Sequence, residues 1–287
     1  MVSSDFAVFI LTHGRPDKVV TYKTLQKCGY TGPVYFIVDN EDASVEKYRS
    51  NFGADRVIVF DKKAMADQVD EGNNFDERRT ITHARNACFD IAERLGFTYF
   101  MQLDDDYTDF RYKLIETNNS LFIIKDMDRM LNALIGFYVA SGATSIALAQ
   151  NGDFIGGFDN GMGIYRFAKR KCMNSFLCSS TRPFRFAGAM NEDVNTFTVQ
   201  GATGSLFMTI PFIALNQKQT QSQVGGITDM YLKYGTYCKA FTTVMMQPSS
   251  VRVSMMNSNN PRIHHTIDWP NTVPVIIDEC HRKKPTA

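Results

Sequence analysis

The residues best suited to chemistry in this chain are carboxylates, and they come in tight groups. Tyr99-Phe100-Met101-Gln102-Leu103 is a run suited to a buried strand, and it stops at Asp104-Asp105-Asp106. Three adjacent acids repel one another, so a chain that keeps them at a strand end usually supplies a counter-charge, most often a divalent cation. Hard oxygen ligands favour Mg2+ or Mn2+, which typically bridge one or two carboxylates and the phosphates of a substrate. A solvated turn is the alternative, because Asp is frequent in turns and can start a helix. Glu192-Asp193 is a lone acidic pair in a basic stretch, suited to ion pairing or to service as a poised base. Gly225-Gly226, just before Asp229, allows close approach of backbone to a ligand. His264-His265 adds two imidazoles; adjacent residues on a strand face opposite sides, so at most one is expected to reach a given metal, and a surface or core role is the alternative.

The elements that must position these groups follow from apolar runs and their punctuation. Ala7–Leu11, Val34–Val38 and Arg56–Phe60 are expected as strands, separated by helices over Pro16–Cys28 and Ala43–Asn51. Strand, helix, strand, helix, strand is the signature of a parallel sheet with crossovers. The segment from Asp61 to Asp76 is polar and glycine-containing, which predicts a mobile loop. A strong helix over Glu77–Leu95 carries Arg85-Asn86, is closed by Gly96 and feeds the Tyr99–Leu103 strand. Beyond the acids, strands are expected over Tyr107–Ile115, Leu121–Ile124 and Ser145–Ala149, with helices over Asp126–Ser141 and Asp229–Ala240. In an open parallel sheet ligands bind outside the carboxyl ends of the strands, where the acids stand. Thr12-His13-Gly14-Arg15-Pro16 follows the first strand at the same edge, and Asp39 ends the second, where it could bond a base or ribose or simply sit in a turn.

The composition is that of a soluble globular chain, at 44% hydrophobic and 21% charged over 287 residues. No apolar run is long enough to span a bilayer and Met1 to Phe6 lacks the regions of a signal peptide, so the expected location is the cytosol, without membrane partners. The six cysteines are scattered without a CxxC pair, which indicates buried thiols rather than a zinc site or disulfide framework. With no repeat or linker between the halves, one domain over 1–287 is expected, with lobes 1–110 and 111–287.

A net charge of +1 conceals an asymmetry: residues 1–159 hold 17 Lys and Arg against 24 acids, and residues 160–267 hold 11 against 3. The first part is suited to a metal and the second to a polyanion. Between Asn160 and Asn191 there is no acid, while Arg166, Lys169, Arg170, Lys171, Arg182 and Arg185 are interleaved with Tyr165, Phe167, Phe176, Phe184 and Phe186. Cations that neutralise phosphates, beside rings that stack on bases, would suit a nucleic-acid acceptor; a solvated basic face over core aromatics is the alternative.

Taken together, a nucleotide-binding α/β half, a strand ending in Asp-x-Asp, a preceding helix with Arg-Asn and a later Glu-Asp pair resemble a GT-A glycosyltransferase. Ile10-Leu11-Thr12-His13-Gly14-Arg15-Pro16, Val59-Phe60-Asp61-Lys62-Lys63, Gln102-Leu103-Asp104-Asp105-Asp106-Tyr107, Asn191-Glu192-Asp193 and Gly225-Gly226-x-Thr228-Asp229-Met230-Tyr231 resemble the TET/JBP-associated glycosyltransferases. Those are largely phage-encoded enzymes that add sugars to hydroxymethylated pyrimidines in DNA.

The resemblance implies a Rossmann-like, mostly parallel central sheet flanked by helices, with a basic C-terminal acceptor lobe. It implies a nucleotide-sugar donor, a UDP-sugar by expectation, with Mn2+ or Mg2+, and double-stranded DNA carrying 5-hydroxymethylcytosine or 5-hydroxymethyluracil as acceptor. Thr12, His13, Arg15 and Asp39 would line the nucleotide pocket, with Arg85, Asp104, Asp105, Gly225 and Gly226 towards the donor. Asp106, with Asp104 and either His264 or His265, would hold the metal, and Asp193 would be the base, with Glu192 and Asp229 as rivals. Three other functions compete. A GT-A enzyme with a polysaccharide or protein acceptor leaves the basic half unexplained. A sugar-nucleotide nucleotidyltransferase would show an early glycine-rich phosphate loop, whereas Thr12–Asp17 has only Gly14. A non-catalytic DNA-binding module gains nothing from the acid triplet.

Overall fold

The computed structural model describes residues 2–71, 78–114, 120–150, 171–217, 235, 237–256 and 261–272. Four parallel strands form its first part: β1 (Phe6–Leu11), β2 (Val34–Asp39), β3 (Val57–Phe60) and β4 (Tyr99–Asp104), in the spatial order β3-β2-β1-β4. Every residue of β1 is buried, as a strand covered on both faces must be. The connections hold α1 (Val20–Lys27), α2 (Val45–Phe52), α3 (Lys62–Ala66) and α4 (Thr82–Leu95). Gly96 closes α4 in the left-handed conformation at φ 78°, as its position predicts.

The sheet continues past β4 through β8 (Phe176–Ser179), β7 (Ser145–Gln150), β9 (Phe207–Gln217), β5 (Tyr107–Leu114) and β6 (Ser120–Ile123), nine strands among the described residues. Only β8 and β5 run against the rest, so the sheet is mostly parallel, as expected. The β7–β9 register shifts between Ile210 and Ala214, around Pro211, which has no N–H to give the ladder.

Alternate residues of β1 serve two cores. Phe6, Val8 and Ile10 pack with Leu25 of α1, Tyr48 of α2 and Leu131, Leu134 and Tyr138 of α5 (Met127–Ser141). Ala7, Phe9 and Leu11 pack with Ala87, Phe89 and Ile91 of α4 and with Val194 and Phe197 of α6 (Glu192–Ala202). Each large apolar side chain so enclosed contributes about 1.5–3 kcal/mol relative to exposure. On the α4/α6 side lie α7 (Tyr237–Met246), the antiparallel ribbon of β10 (Val251–Met256) and β11 (Arg262–Ile267), and the short α8 (Trp269–Thr272), whose Trp269 stacks on Phe197 at 5.7 Å.

Several expectations are corrected. The first helix starts at Val20, not Pro16, because residues 12–19 cross the sheet edge and the opening amides of α1 find the Asp105 carbonyl there, Val20 at 2.8 Å and Thr21 at 3.2 Å. The loop expected from Asp61 contains α3, begun by Asp61 accepting from the Ala64 amide at 3.0 Å, and it is tied down where Gly188 and Ala189 amides donate to the Asp70 and Glu71 carbonyls. The late helix is described from Tyr237 rather than Asp229, with residues 229–234 and 236 outside the described residues. Cys28, Cys88, Cys172 and Cys178 are buried free thiols; Cys238 is half-buried and Cys280 lies outside.

Candidate active site

Leu11 at the end of β1 lies in register with Asp104 at the end of β4, so the Thr12–Asp17 loop and the acid triplet share one sheet edge. The backbone of the triplet is locked there: Thr21 Oγ1 donates to the Asp104 carbonyl at 2.6 Å and accepts from the Tyr107 amide at 2.9 Å. The three carboxylates are thereby given different surroundings. Asp105 turns inward and is buried, accepting from Thr12 Oγ1 at 2.7 Å and pairing with Arg15 at 3.3 Å. Tyr48 completes this network, its oxygen taking the Arg15 amide at 2.8 Å while its hydroxyl lies 2.9 Å from Thr12 Oγ1. Asp105 thus shapes the loop, while Asp104 and Asp106 keep partial exposure.

Arg85 is the centre of the site. It is fully enclosed, with its guanidinium 4.8 Å above the Phe176 ring; Nη2 donates to Asp104 at 3.0 Å and Nε to Glu192 at 3.0 Å. One cation on α4 therefore joins the acid at the end of β4 to the acid that opens α6. Asn86 beside it bonds both backbone groups of Phe186, at 2.8 and 3.1 Å, and fixes the 184–188 segment against α4.

Burial first, then Glu192 and Asp105, push Asp104 up to about 6, with Arg85 opposing. Asp106 is pushed up to about 7 by burial and by Asp104 and Asp105, with Arg15 opposing. Burial and Asp193 likewise raise Glu192, against the pull of Arg85. These carboxylates hold more negative charge than the local cations balance, a donor set that fits a hard divalent ion shared with ligand phosphates. It does not fit an all-protein cage, since among the described residues no group of three His, Cys, Asp or Glu could hold a metal.

At the end of β2, Asp39 is occupied by protein: His13 Nδ1 lies 2.6 Å from one oxygen and Lys62 Nζ 3.3 Å from the other. The Asp39 hydrogen bond, against burial, raises His13; burial would raise Asp39, but His13 and Lys62 outweigh it and hold that carboxyl below its ordinary value. Gly14 donates to Asp42 at 2.6 Å, so the loop is pinned at its turn. The His13 side chain is half exposed at this edge, and the Asp39 carboxylate is buried.

Glu192 and Asp193 open α6 after Asn191, which adopts the left-handed conformation (φ 55°, ψ 37°). Asp193 Oδ1 accepts from the Val194 amide at 2.7 Å. The Asn191 amide nitrogen lies 2.9 Å from the Lys239 carbonyl, 3.0 Å from Thr243 Oγ1 and 3.3 Å from His265 Nδ1, joining α7 and β11 to the acidic pair.

The two histidines differ from expectation. Their rings lie 4.3 Å apart and tilted by 34°, in contact although the two residues are adjacent on β11. Burial first, with His264 and Lys239, lowers His265 to about 3, leaving a neutral ring beside Asn191; burial lowers His264 also. Among the described residues neither converges with the triplet on one ion.

The expected stacking rings are also corrected: Phe176, Phe184 and Phe186 are buried in the α4/α6 core, two of them beneath Arg85. Arg182 lies 4.4 Å over Tyr138, and Arg185 reaches the Asn86 carbonyl and, at 3.9 Å, Asp90. Lys171 is half-buried, and its carbonyl accepts from Thr209. Tyr165, Arg166, Phe167, Lys169, Arg170, Gly225, Gly226 and Asp229 lie outside the described residues. Sequence reasoning gave no role to Tyr48, to Lys62 or to the connection made by Asn191; Lys62 and Asn191 stand within the motifs at Val59–Lys63 and Asn191–Asp193, whereas Tyr48 carried no signal.

Residues 6–226 match the model of the TET-associated glycosyltransferases. The chain belongs to that family. It is a glycosyltransferase, in agreement with the motifs at Thr12–Pro16, Asp104–Asp106 and Asn191–Asp193. No curated protein matches it. Similar solved structures include glucosyl-3-phosphoglycerate synthase from Mycobacterium tuberculosis with Mn2+, UDP and phosphoglyceric acid, at 10% identity and TM-score 0.46 over 91% of this chain and 86% of that one. The same enzyme with Mg2+ and UDP is 8% identical, TM-score 0.47, over 91% and 87%. A protein provisionally described as a nucleotide-diphospho-sugar transferase, from Desulfovibrio desulfuricans G20, is 9% identical, TM-score 0.42, over 86% and 95%. The Arg85 bridge couples the end of β4 to the start of α6. No helix among the described residues is long and apolar enough to cross a membrane.

Proposed function

We propose that this glycosyltransferase moves a sugar from a nucleotide-sugar, a UDP-sugar by preference, to the hydroxymethyl group of a modified pyrimidine in DNA, with Mn2+ or Mg2+ as cofactor. The observation that carries the reading is the Arg85 bridge, which joins a donor-side carboxylate, Asp104, to an acceptor-side one, Glu192. Asp104 and Asp106 would hold the cation, whose chemistry when bound is to neutralise charge on the departing diphosphate. Thr12 and Arg15, set by Asp105 and Tyr48, and the exposed face of His13 line the nucleotide side. Arg85 is the proposed positioning residue: fully enclosed, it opposes the rise of Asp104 and Glu192 and aligns the two.

Asp193 is the proposed base. In an inverting displacement the acceptor oxygen attacks the anomeric carbon as the bond from that carbon to the diphosphate oxygen breaks. The hydroxyl proton passes to the Asp193 carboxylate, and the electron pair leaves with the diphosphate. Support for DNA as acceptor comes from the family and from the excess of cations over acids in residues 160–267.

The test is transfer from a panel of UDP-sugars, with Mn2+ or Mg2+, to DNA bearing 5-hydroxymethylcytosine or 5-hydroxymethyluracil, read from the mass of the digested nucleosides. A sugar adduct lost in Asp106→Ala and in Asp193→Asn is the expected result. Donor hydrolysis with unmodified DNA would overturn the acceptor, and full turnover in Asp193→Asn would overturn the base.

A further inference from the structure

The acid triplet stands on a connection that the sheet itself does not hold. Two residues, Asp105 and Asp106, join the end of β4 to the start of β5. A link that short usually belongs to a hairpin, whose strands pair with each other and fix the turn through their ladder. Here β8, β7 and β9 stand between β4 and β5: β4 pairs with β1 and β8, and β5 with β9 and β6. No ladder joins the two strands among the described residues, so the restraint on the turn comes from another element, α1. Thr21, fully buried, places one hydroxyl between the Asp104 carbonyl, to which it donates at 2.6 Å, and the Tyr107 amide, from which it accepts at 2.9 Å. Those are the two groups that face each other across a β-turn. The Val20 and Thr21 amides both donate to the Asp105 carbonyl. Thr24, one helical turn on, donates to the Tyr107 carbonyl at 2.9 Å and holds the start of β5.

We propose that Thr21 is a positioning residue of this glycosyltransferase: its hydroxyl takes the place of a strand ladder and sets Asp104 and Asp106 at the mutual orientation that a shared divalent cation requires; this rests on the proposed metal reading. The backbone is fixed on both sides of Asp105, whose side chain is buried, while Asp104 and Asp106 beside it keep partial exposure. Three adjacent carboxylates repel one another, and an unrestrained turn would let them swing apart. A cation that meets a pair already held gives up none of its binding energy to draw two like charges together, which is why the groups behind metal ligands matter nearly as much as the ligands. Thr21 acts through the backbone of the triplet, so its chemistry is separable from its shape. Valine keeps the branched outline and loses both bonds of the hydroxyl, and serine keeps the hydroxyl.

The experiment measures the UDP affinity of the full chain by calorimetry across a series of Mn2+ concentrations, with the melting temperature of the cation-free protein alongside, for the wild type, Thr21→Val, Thr21→Ser and Thr24→Val. Thr24→Val is the control, because it removes a buried hydroxyl of the same helix that bonds a backbone group outside the triplet. Both valine variants are expected to melt below the wild type. Only Thr21→Val is expected to need more Mn2+ for the same UDP affinity, roughly tenfold more, and saturating Mn2+ returns its UDP affinity to the wild-type value. Thr21→Ser keeps the wild-type Mn2+ requirement. A second measurement needs no variant: in the cation-free wild type the Tyr107 amide is expected to be protected from hydrogen exchange, since the turn is built before the ion arrives.

A Thr21→Val chain with the wild-type Mn2+ requirement overturns the inference and leaves the metal reading standing. An equal rise in Thr24→Val overturns it too, as a loss common to any weakened α1, and so does a Thr21→Val deficit in UDP affinity that saturating Mn2+ does not remove. Tyr107 protection that appears only with Mn2+ and UDP overturns it because the ion, and not Thr21, would then build the turn. A wild type whose UDP affinity is indifferent to Mn2+ overturns the metal reading and this inference together.

Discussion

Replacing Arg85 with Met should show how far this site depends on one buried cation. The side chain is 2% exposed and makes two charge-assisted bonds of 3.0 Å, so its loss strands Asp104 and Glu192 in an environment that already resists their ionisation. Breaking a buried ion pair from one side costs about 3–5 kcal/mol. For a chain of this size that is a fall in melting temperature of roughly 6–15 °C. The deficit must depend on pH with a defined sign. Burial already holds Asp104 at about 6 and raises Glu192, and Arg85 is the main opposing charge in both cases. Without it both acids rise further, so the native state binds more protons than the unfolded chain, and stability increases as pH falls. The Arg85→Met deficit should be largest near about pH 8 and shrink towards about pH 5. Arg85→Lys restores a point charge without the planar fork, and should recover part of the stability while leaving transfer impaired. The assay is a pair of urea and thermal melts at the two pH values, without divalent cation, with transfer measured in parallel. A Met variant that melts with the wild type at both pH values, and transfers sugar as fast, would refute the reasoning.

Other outcomes follow from the same geometry. Asn191→Ala leaves the Lys239 carbonyl and Thr243 hydroxyl without their donor, for a loss of about 1–3 kcal/mol in urea unfolding. Asn191→Gly recovers about 1 kcal/mol of that by relieving the left-handed backbone; an alanine variant as stable as the wild type would show that the amide contributes nothing. Asp104 and Asp106, raised to about 6 and about 7, contribute stability that is present below about pH 4 and lost as pH rises through those values. The cation-free protein should therefore melt higher at about pH 5.5 than its carboxylates allow at about pH 8, and Mn2+, which selects the charged forms, should stabilise it mainly at the higher pH. An Mn2+ shift equal at both values, or unaltered in Asp106→Ala, would contradict this account.

Much of the first half was legible from its residues. β1, β2 and β3 are continuous apolar runs that could be satisfied only inside a sheet covered on both faces, and Gly96 closed α4 where a left-handed residue was needed. The second half was less legible. β8 has four residues and α3 has five, too short for a period to emerge, and β9 is interrupted at Pro211. The aromatic residues at 176, 184 and 186 show the limit most clearly, since a ring ready to stack on a base and a ring packed in a core have the same composition.

By itself the sequence determined that a strand ends in three acids beside a nucleotide-type loop, and its family follows from residues 6–226. Tertiary structure alone decided which of those acids faces which way. The first turn of α1 seizes the backbone of Asp104 and Asp105, Thr12 and Arg15 draw the Asp105 carboxylate inward, and Arg85 holds Asp104 while reaching Glu192, 107 residues further along the chain from itself. The physical reason is that a carboxylate's role is set by what lies within about 4 Å of it in a medium of low polarity. Those neighbours come from elements that are distant in sequence and meet only when the sheet assembles.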